Sequence, residues 1–157
     1  MQLVAILQGM LTPVIALAVA YIAWQQWKLS REKLLLDLYD RRIETYREVR
    51  KILAHVLTHG RADNQTMLEF YSAVSQADFL FGKDVNDYNQ LIYENGLQLA
   101  HLNGCYSRGI KGQVPNYDNK KTVEEQHELL RWFTEQYEPA KVLYGRYLKI
   151  EHSRHIG

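Results

Sequence analysis

Residues 3–24 read LVAILQGMLTPVIALAVAYIAW, twenty-two positions without one charged side chain. A helix rises 1.5 Å per residue, so about 20 mainly apolar residues cross the ~30 Å hydrocarbon layer of a bilayer. A secretory signal peptide is the first rival reading, and it requires a basic leading flank, a shorter apolar core and a small-x-small cleavage site. The one cleavage-like pair here, Ala18 and Ala20, is followed by bulky Tyr21, Trp24 and Trp27, and no Lys or Arg precedes Lys28. A buried soluble helix is the second rival, and it is disfavoured because the run is apolar on every face. The sequence therefore predicts an uncleaved transmembrane anchor over residues 1–27, its span at about 3–24.

The flanks give the anchor a direction. Lys28, Arg31 and Lys33 follow the span directly, and only the amino terminus precedes it. Positive charge stays on the cytoplasmic side, so the chain is expected to run N-out and C-in, with residues 28–157 cytoplasmic. Tyr21, Trp24 and Trp27 stand where amphipathic rings prefer the headgroup layer. The single Cys105 suits a reducing compartment, since one thiol forms no internal disulfide.

The span also carries a stripe of small residues, Ala5, Gly9, Thr12, Ala16, Ala20 and Ala23, spaced three or four apart. Such spacing holds them on one helix face, where small side chains let transmembrane backbones approach closely. A homo-oligomer interface is expected there, and Pro13 is expected to kink the helix by removing a backbone donor.

The remaining residues suit one domain. Aromatic residues make up 11% of the chain and only three prolines occur, a globular composition. Apolar residues recur three and four apart rather than alternating, which predicts an all-α fold. The expected architecture is the anchor helix continuing into a four-helix, antiparallel cytoplasmic bundle. Its first helix runs on to His59, with Leu36, Tyr39, Ile43, Tyr46, Leu53 and Leu57 on one line and Arg50 breaking a step. Leu35, Leu38, Val49, Ile52 and Val56 form a second line, and Gly60 stops the helix. A second helix is expected over 64–81 and a third capped by Asp84. The third is expected to close at Asn103 and Gly104. Residues 104–121 read as a loop. Thr122 and Glu125 form a capping-box pattern for the last helix, whose core face is Val123, Leu130, Phe133, Tyr137, Tyr144 and Leu148. Pro139 is expected to kink or divide that helix.

Three segments carry a resemblance: KLLLDLYDRRIETY at 33–46, ADFLFGKDVNDY at 77–88 and YLKI at 147–150. Together they resemble a widespread group of small bacterial single-pass membrane proteins with the pattern K-L-x-L-D-L-[FY]-D-R-R, then F-L-F-G, then Y-L. The likeness covers most of the chain. It implies a bacterial origin, the inner membrane and the architecture above, and it brings no agreed activity and no site residues.

Candidate chemistry is sparse. No G-x-S-x-G, H-E-x-x-H, Walker or G-x-G-x-x-G pattern occurs, so no enzyme and no cofactor are expected. His55 and His59 share a helix face, yet two ligands do not make a metal site. Cys105 has no evident base partner in sequence. Between residues 28 and 51, eight Lys or Arg oppose five Asp or Glu, a net +3. Next to the span this charge suits anionic lipid headgroups, and the DLYDRR cluster is expected to form inter-helix salt bridges that set bundle register. Arg108, Lys111, Lys120 and Lys121 gather with Tyr106 and Tyr117 around the 104–121 loop, where cations and rings suit a phosphorylated nucleotide. A whole-chain charge of +1 disfavours DNA or RNA polymers as partners.

Two function classes follow. One is an oligomeric membrane-anchored effector or sensor. In size and architecture it is similar to small bacterial anti-phage effectors, including a CRISPR-associated membrane effector that responds to cyclic oligoadenylate. The other is a passive tether that holds a soluble protein partner at the membrane.

Overall fold

The computed structural model describes residues 2–112 and 118–149, with residues 2–13 described by their backbone alone. All its regular elements are helices: α1 (Gln2–His59), α2 (Asn64–Val74), α3 (Ala77–Leu80), α4 (Lys83–Ile110), α5 (Asn119–Glu135) and α6 (Tyr137–Leu148). The all-α reading therefore holds. The chain divides into two compact units, residues 1–38 and 39–157, with the division inside α1.

In the first unit, every residue from 14 to 37 is exposed. Val14, Leu17, Ile22, Trp24 and Leu34 are among the large apolar side chains left without cover. Ala16, Ala20 and Ala23 of the small-residue stripe are exposed, while Ala5, Gly9 and Thr12 lie outside the residues whose side chains are described. Among the described residues, no helix is long and apolar enough to cross a membrane. The uncharged run begins at Leu3, so its portion up to Pro13 lies outside that statement.

The second unit is a helical bundle. Its core joins Val49, Ile52, Leu53 and Val56 of α1 with Met67 and Phe70 of α2, Ile92 and Leu99 of α4, Phe133 of α5 and Tyr144 of α6. Helix α4 is the central strut and packs against α2, α3 and α5. Both apolar lines of α1 contribute, Leu53 from one and Val49, Ile52 and Val56 from the other, whereas Leu35 and Leu36 belong to the exposed first unit.

Several boundaries differ from the sequence expectation. The second helix is divided, because Ser75 turns back to the Ser72 carbonyl with both its hydroxyl (2.7 Å) and its N–H (3.3 Å). Such local side-chain bonds compete with helical continuation. Gly82, not Asp84, is the N-cap of α4. Helix α4 runs through Asn103 and Gly104 to Ile110 and ends where Gly112 adopts the left-handed φ of 68°. A mid-helix glycine costs only ~1 kcal/mol against alanine, too little to stop a helix whose Leu102 is buried. Asp118 rather than Thr122 caps α5, accepting from the Lys121 N–H at 3.1 Å, while the Thr122 hydroxyl donates to the Asp118 carbonyl. Helix therefore takes up the expected loop as far as Ile110 and again from Asn119, and its residues 113–117 lie outside the described residues. Thr122, Leu129, Phe133 and Gln136 lie inside, and Val123, expected in the core, is exposed. The break at Gln136 between α5 and α6 falls three residues before Pro139, whose ring conflicts with a helical carbonyl four residues earlier.

Gly96 sits under Met67. A Cβ there would collide with the Met67 Sδ and Cε, and Met67 is fully buried. Gly96→Leu is expected to destabilise the bundle by about 1–3 kcal/mol, the usual cost of overpacking. Adding Met67→Ala should recover part of the loss. Denaturant unfolding of the two variants checks this, and an undiminished loss in the double variant would contradict the steric account.

Candidate functional site

The three resembling segments meet at the end of the second unit where the chain enters it. Arg42 of the DLYDRR segment donates from Nε to the Leu80 carbonyl (2.9 Å) and from a terminal nitrogen to the Tyr147 carbonyl (3.2 Å). Leu80 closes α3 and Tyr147 lies in the last turn of α6. Carbonyls at helix C-termini have no intrahelical donor, and a cation there also meets the negative end of the helix dipole. One guanidinium therefore closes two helices and fastens both to α1. Its Cζ lies 5.9 Å from the ring centroids of both Phe81 and Tyr147, in cation–π range.

The FLFG and YL segments complete the junction. The Phe81 ring meets Tyr144 and Tyr147 edge-on at 5.1 and 5.4 Å. Gly82 leaves room for the Tyr147 hydroxyl, which any Cβ at that position would strike. That hydroxyl donates to Asp84 Oδ1 at 2.7 Å, and Arg146 pairs with Oδ2 at 2.9 Å. The Tyr147 bond is the main reason the Asp84 carboxyl sits below its ordinary pKa and the Tyr147 phenol above its own. The expected inter-helix salt bridges of DLYDRR are thus corrected for Arg42: it crosses between helices, but to carbonyl oxygens.

The basic and aromatic group lies at the other end. Gln126 donates to Asn103 Oδ1 (2.9 Å), and Asn103 donates to the Ala62 carbonyl (3.0 Å), which fixes the register of α4 against α5. Antiparallel helices in that register carry Arg108 and Lys121 at a common level. Arg108 is turned to its own helix, with Nε on the Gly104 carbonyl (3.3 Å) and a terminal nitrogen 3.8 Å from Cys105 Sγ. Lys120 and Lys121 reach Glu124 and Glu125 of their own helix, both at 3.9 Å and well exposed. Lys111 is exposed beyond α4, Tyr106 is half-buried, and Tyr117 lies outside the described residues. Screened surface pairs of this kind contribute little to stability and leave the cations accessible.

Sequence reasoning missed two features. Because α4 continues past Gly104, His101 and Cys105 fall one turn apart, and imidazole Nε2 lies 3.5 Å from the thiol sulfur. Arg50, which interrupts an apolar line of α1, opens onto a cleft of about 430 Å³ with Arg47, Lys51, Tyr46 and Tyr137. Arg47 and Lys51 pair with Glu44 and Glu48 on the same helix. A cation placed on an apolar line was the available signal for that cleft. His55 and His59 stack at 4.3 Å, and no group of three or more His, Cys, Asp or Glu among the described residues is arranged to hold a metal ion.

Compared with known protein families, curated proteins and solved structures, this chain matches none of them.

Proposed function

We propose that this chain is an oligomeric, membrane-anchored effector or sensor of the bacterial inner membrane, with an outer amino terminus and a cytoplasmic bundle. The observation that carries the reading is the uncovered apolar surface of residues 14–24, the described part of the uncharged run that starts at Leu3. A helix apolar on all sides is stable in lipid or against copies of itself, not alone in water. Tyr21, Trp24 and Trp27 would lie in the interfacial layer, with Arg31 stacked 5.9 Å from the Trp27 ring. Copies would meet through Ala5, Gly9, Thr12, Ala16, Ala20 and Ala23. Anti-phage defence is the setting that the architecture suggests.

An anionic signal, such as a cyclic oligonucleotide, has two candidate seats. One is the accessible cations Arg108, Lys111, Lys120 and Lys121 with Tyr106 and Tyr117. The other is the Arg50 cleft, where cations and rings line one concavity. Either would bind through charge-assisted bonds to phosphate. A second reading, a passive tether for a soluble partner, is favoured by the ion pairs of Lys120 and Lys121, which engage two cations of the first seat with carboxylates of their own helix.

Overexpression with a membrane-potential dye separates the two. An effector depolarises or arrests cells, and a tether leaves them unaffected. The topology is checked with a reporter fused after Gly157. Activity of a cytosol-only reporter is expected, and activity of a periplasm-only reporter would overturn the orientation. A panel of cyclic and linear nucleotides should raise the melting temperature of the full chain in detergent if it is a sensor. Arg108→Ala with Lys111→Ala should abolish the shift for the first seat, and Arg50→Ala for the second. No shift from any nucleotide favours the tether.

A further inference from the structure

The cations around Arg50 are not equivalent. Arg47 is engaged by Glu44 at 3.0 Å and Lys51 by Glu48 at 3.2 Å, both within α1. Among the described residues no carboxylate pairs with Arg50, and the lining of its cleft contains no Asp or Glu. The Arg50 guanidinium therefore keeps its whole planar fork for a ligand, a geometry that matches two oxygens of one phosphate. Arg47 and Lys51 stand on the same wall and add positive potential on either side of it.

The rings that share the cleft are positioned by the core. Tyr46 rests against the buried Tyr144, with ring centroids 5.4 Å apart. Tyr137 opens α6 directly after Gln136, whose carbonyl accepts from the Tyr88 hydroxyl at 3.0 Å. Ile43 and Ala54 supply the aliphatic part of the lining. A bare phosphate would leave these apolar groups uncovered, whereas a nucleobase offers its π-face to tyrosine. The cleft holds about 430 Å³, toward the lower end of the ~300–1,000 Å³ of small-molecule sites, which suits one nucleotide and not several joined. We propose that the Arg50 cleft binds a nucleoside monophosphate, with its phosphate on Arg50 between Arg47 and Lys51 and its base against the tyrosine rings. The inference rests on the reading of this cleft as a seat for an anionic signal, and it narrows that signal to a single nucleotide.

Isothermal titration calorimetry of the full chain in detergent, with adenosine 5′-monophosphate as the probe, is the test. Saturable one-to-one binding is expected. Ribose 5-phosphate, which lacks the base, and adenosine, which lacks the phosphate, should each bind at least about tenfold more weakly, because each keeps only one kind of contact. Arg50→Gln should weaken the nucleotide by at least about tenfold and leave the melting curve unchanged, since Arg50 is exposed. If that variant melts early, the two fragments decide. Lys141→Gln controls for general charge. It removes an exposed cation of α6 that pairs with Glu138 at 3.5 Å, and it should change the affinity by less than about twofold. No saturable binding, equal affinity for either fragment, or equal losses from Arg50→Gln and Lys141→Gln overturns the proposal. Binding of a cyclic oligonucleotide without binding of the monophosphate overturns it too, and leaves the sensor reading standing. Monophosphate binding by a protein whose overexpression leaves cells unaffected supports the site and counts only against the effector.

Discussion

Arg42→Ala is expected to cost the bundle about 3 kcal/mol. A hydrogen bond to a charged group contributes ~1.5–3 kcal/mol, and this guanidinium makes two, to Leu80 and Tyr147. Its loss also uncovers the packed faces of Phe81 and Tyr147. For a unit of this size, that corresponds to a fall in melting temperature of roughly 10 °C. Arg42→Lys should recover less than half, because an ammonium is a point charge that cannot present a planar fork to two carbonyls and two rings at once. Arg47→Ala is the control, since Arg47 is an exposed cation paired only within its own helix, and it should change stability by less than ~1 kcal/mol. Thermal melting of the three variants in detergent decides the matter. Equal effects of Arg42→Ala and Arg47→Ala would show that the junction is not what joins α1, α3 and α6.

Two arginines in the apolar run should have the largest effect on location. Val14→Arg with Leu17→Arg places both charges on one face of the proposed span, each at a cost of about 3 kcal/mol by insertion scales. The fraction of protein resisting alkaline extraction from membranes should fall steeply. Val142→Arg supplies the comparison, because Val142 is an equally exposed apolar residue on α6 of the bundle, and its substitution should leave that fraction unchanged. Retention of the doubly charged protein in membranes would refute the anchor, and loss of the Val142→Arg protein would show that the bundle surface contributes to attachment.

The segments singled out by resemblance acquire a physical account from the junction. DLYDRR supplies the guanidinium that closes two helices. FLFG supplies the carbonyl, the ring and the side-chain-free position beside the Tyr147 hydroxyl, and the YL segment supplies the second carbonyl and that hydroxyl. Arg42, Leu80, Phe81, Gly82 and Tyr147 are thus joined in the packing of one helix junction. That same account explains why residue roles were hard to read from the chain: Arg42 looks like a partner for nearby carboxylates until the ends of α3 and α6 are brought to it.

Local chemistry was sufficient wherever one helix settles the matter. Apolar spacing marked the helical class and the α1 core residues Val49, Ile52 and Val56. Gly60 marked a helix end, and Pro139 marked the division of the last segment, because backbone donors, φ angles and ring clashes act within one turn. Tertiary packing decided the rest. Gly104 does not end α4, since burying Leu102 and bonding Asn103 to Ala62 and Gln126 outweigh a glycine's small helical penalty. That extension, in turn, brings His101 to Cys105. Thr122 and Leu129 lie inside while Val123 does not, because the facing of α5 is set by its packing on α4, to which Gln126 is bonded through Asn103. Helix caps and inter-helix bonds depend on which ends meet in space, and a one-dimensional period carries no record of that meeting.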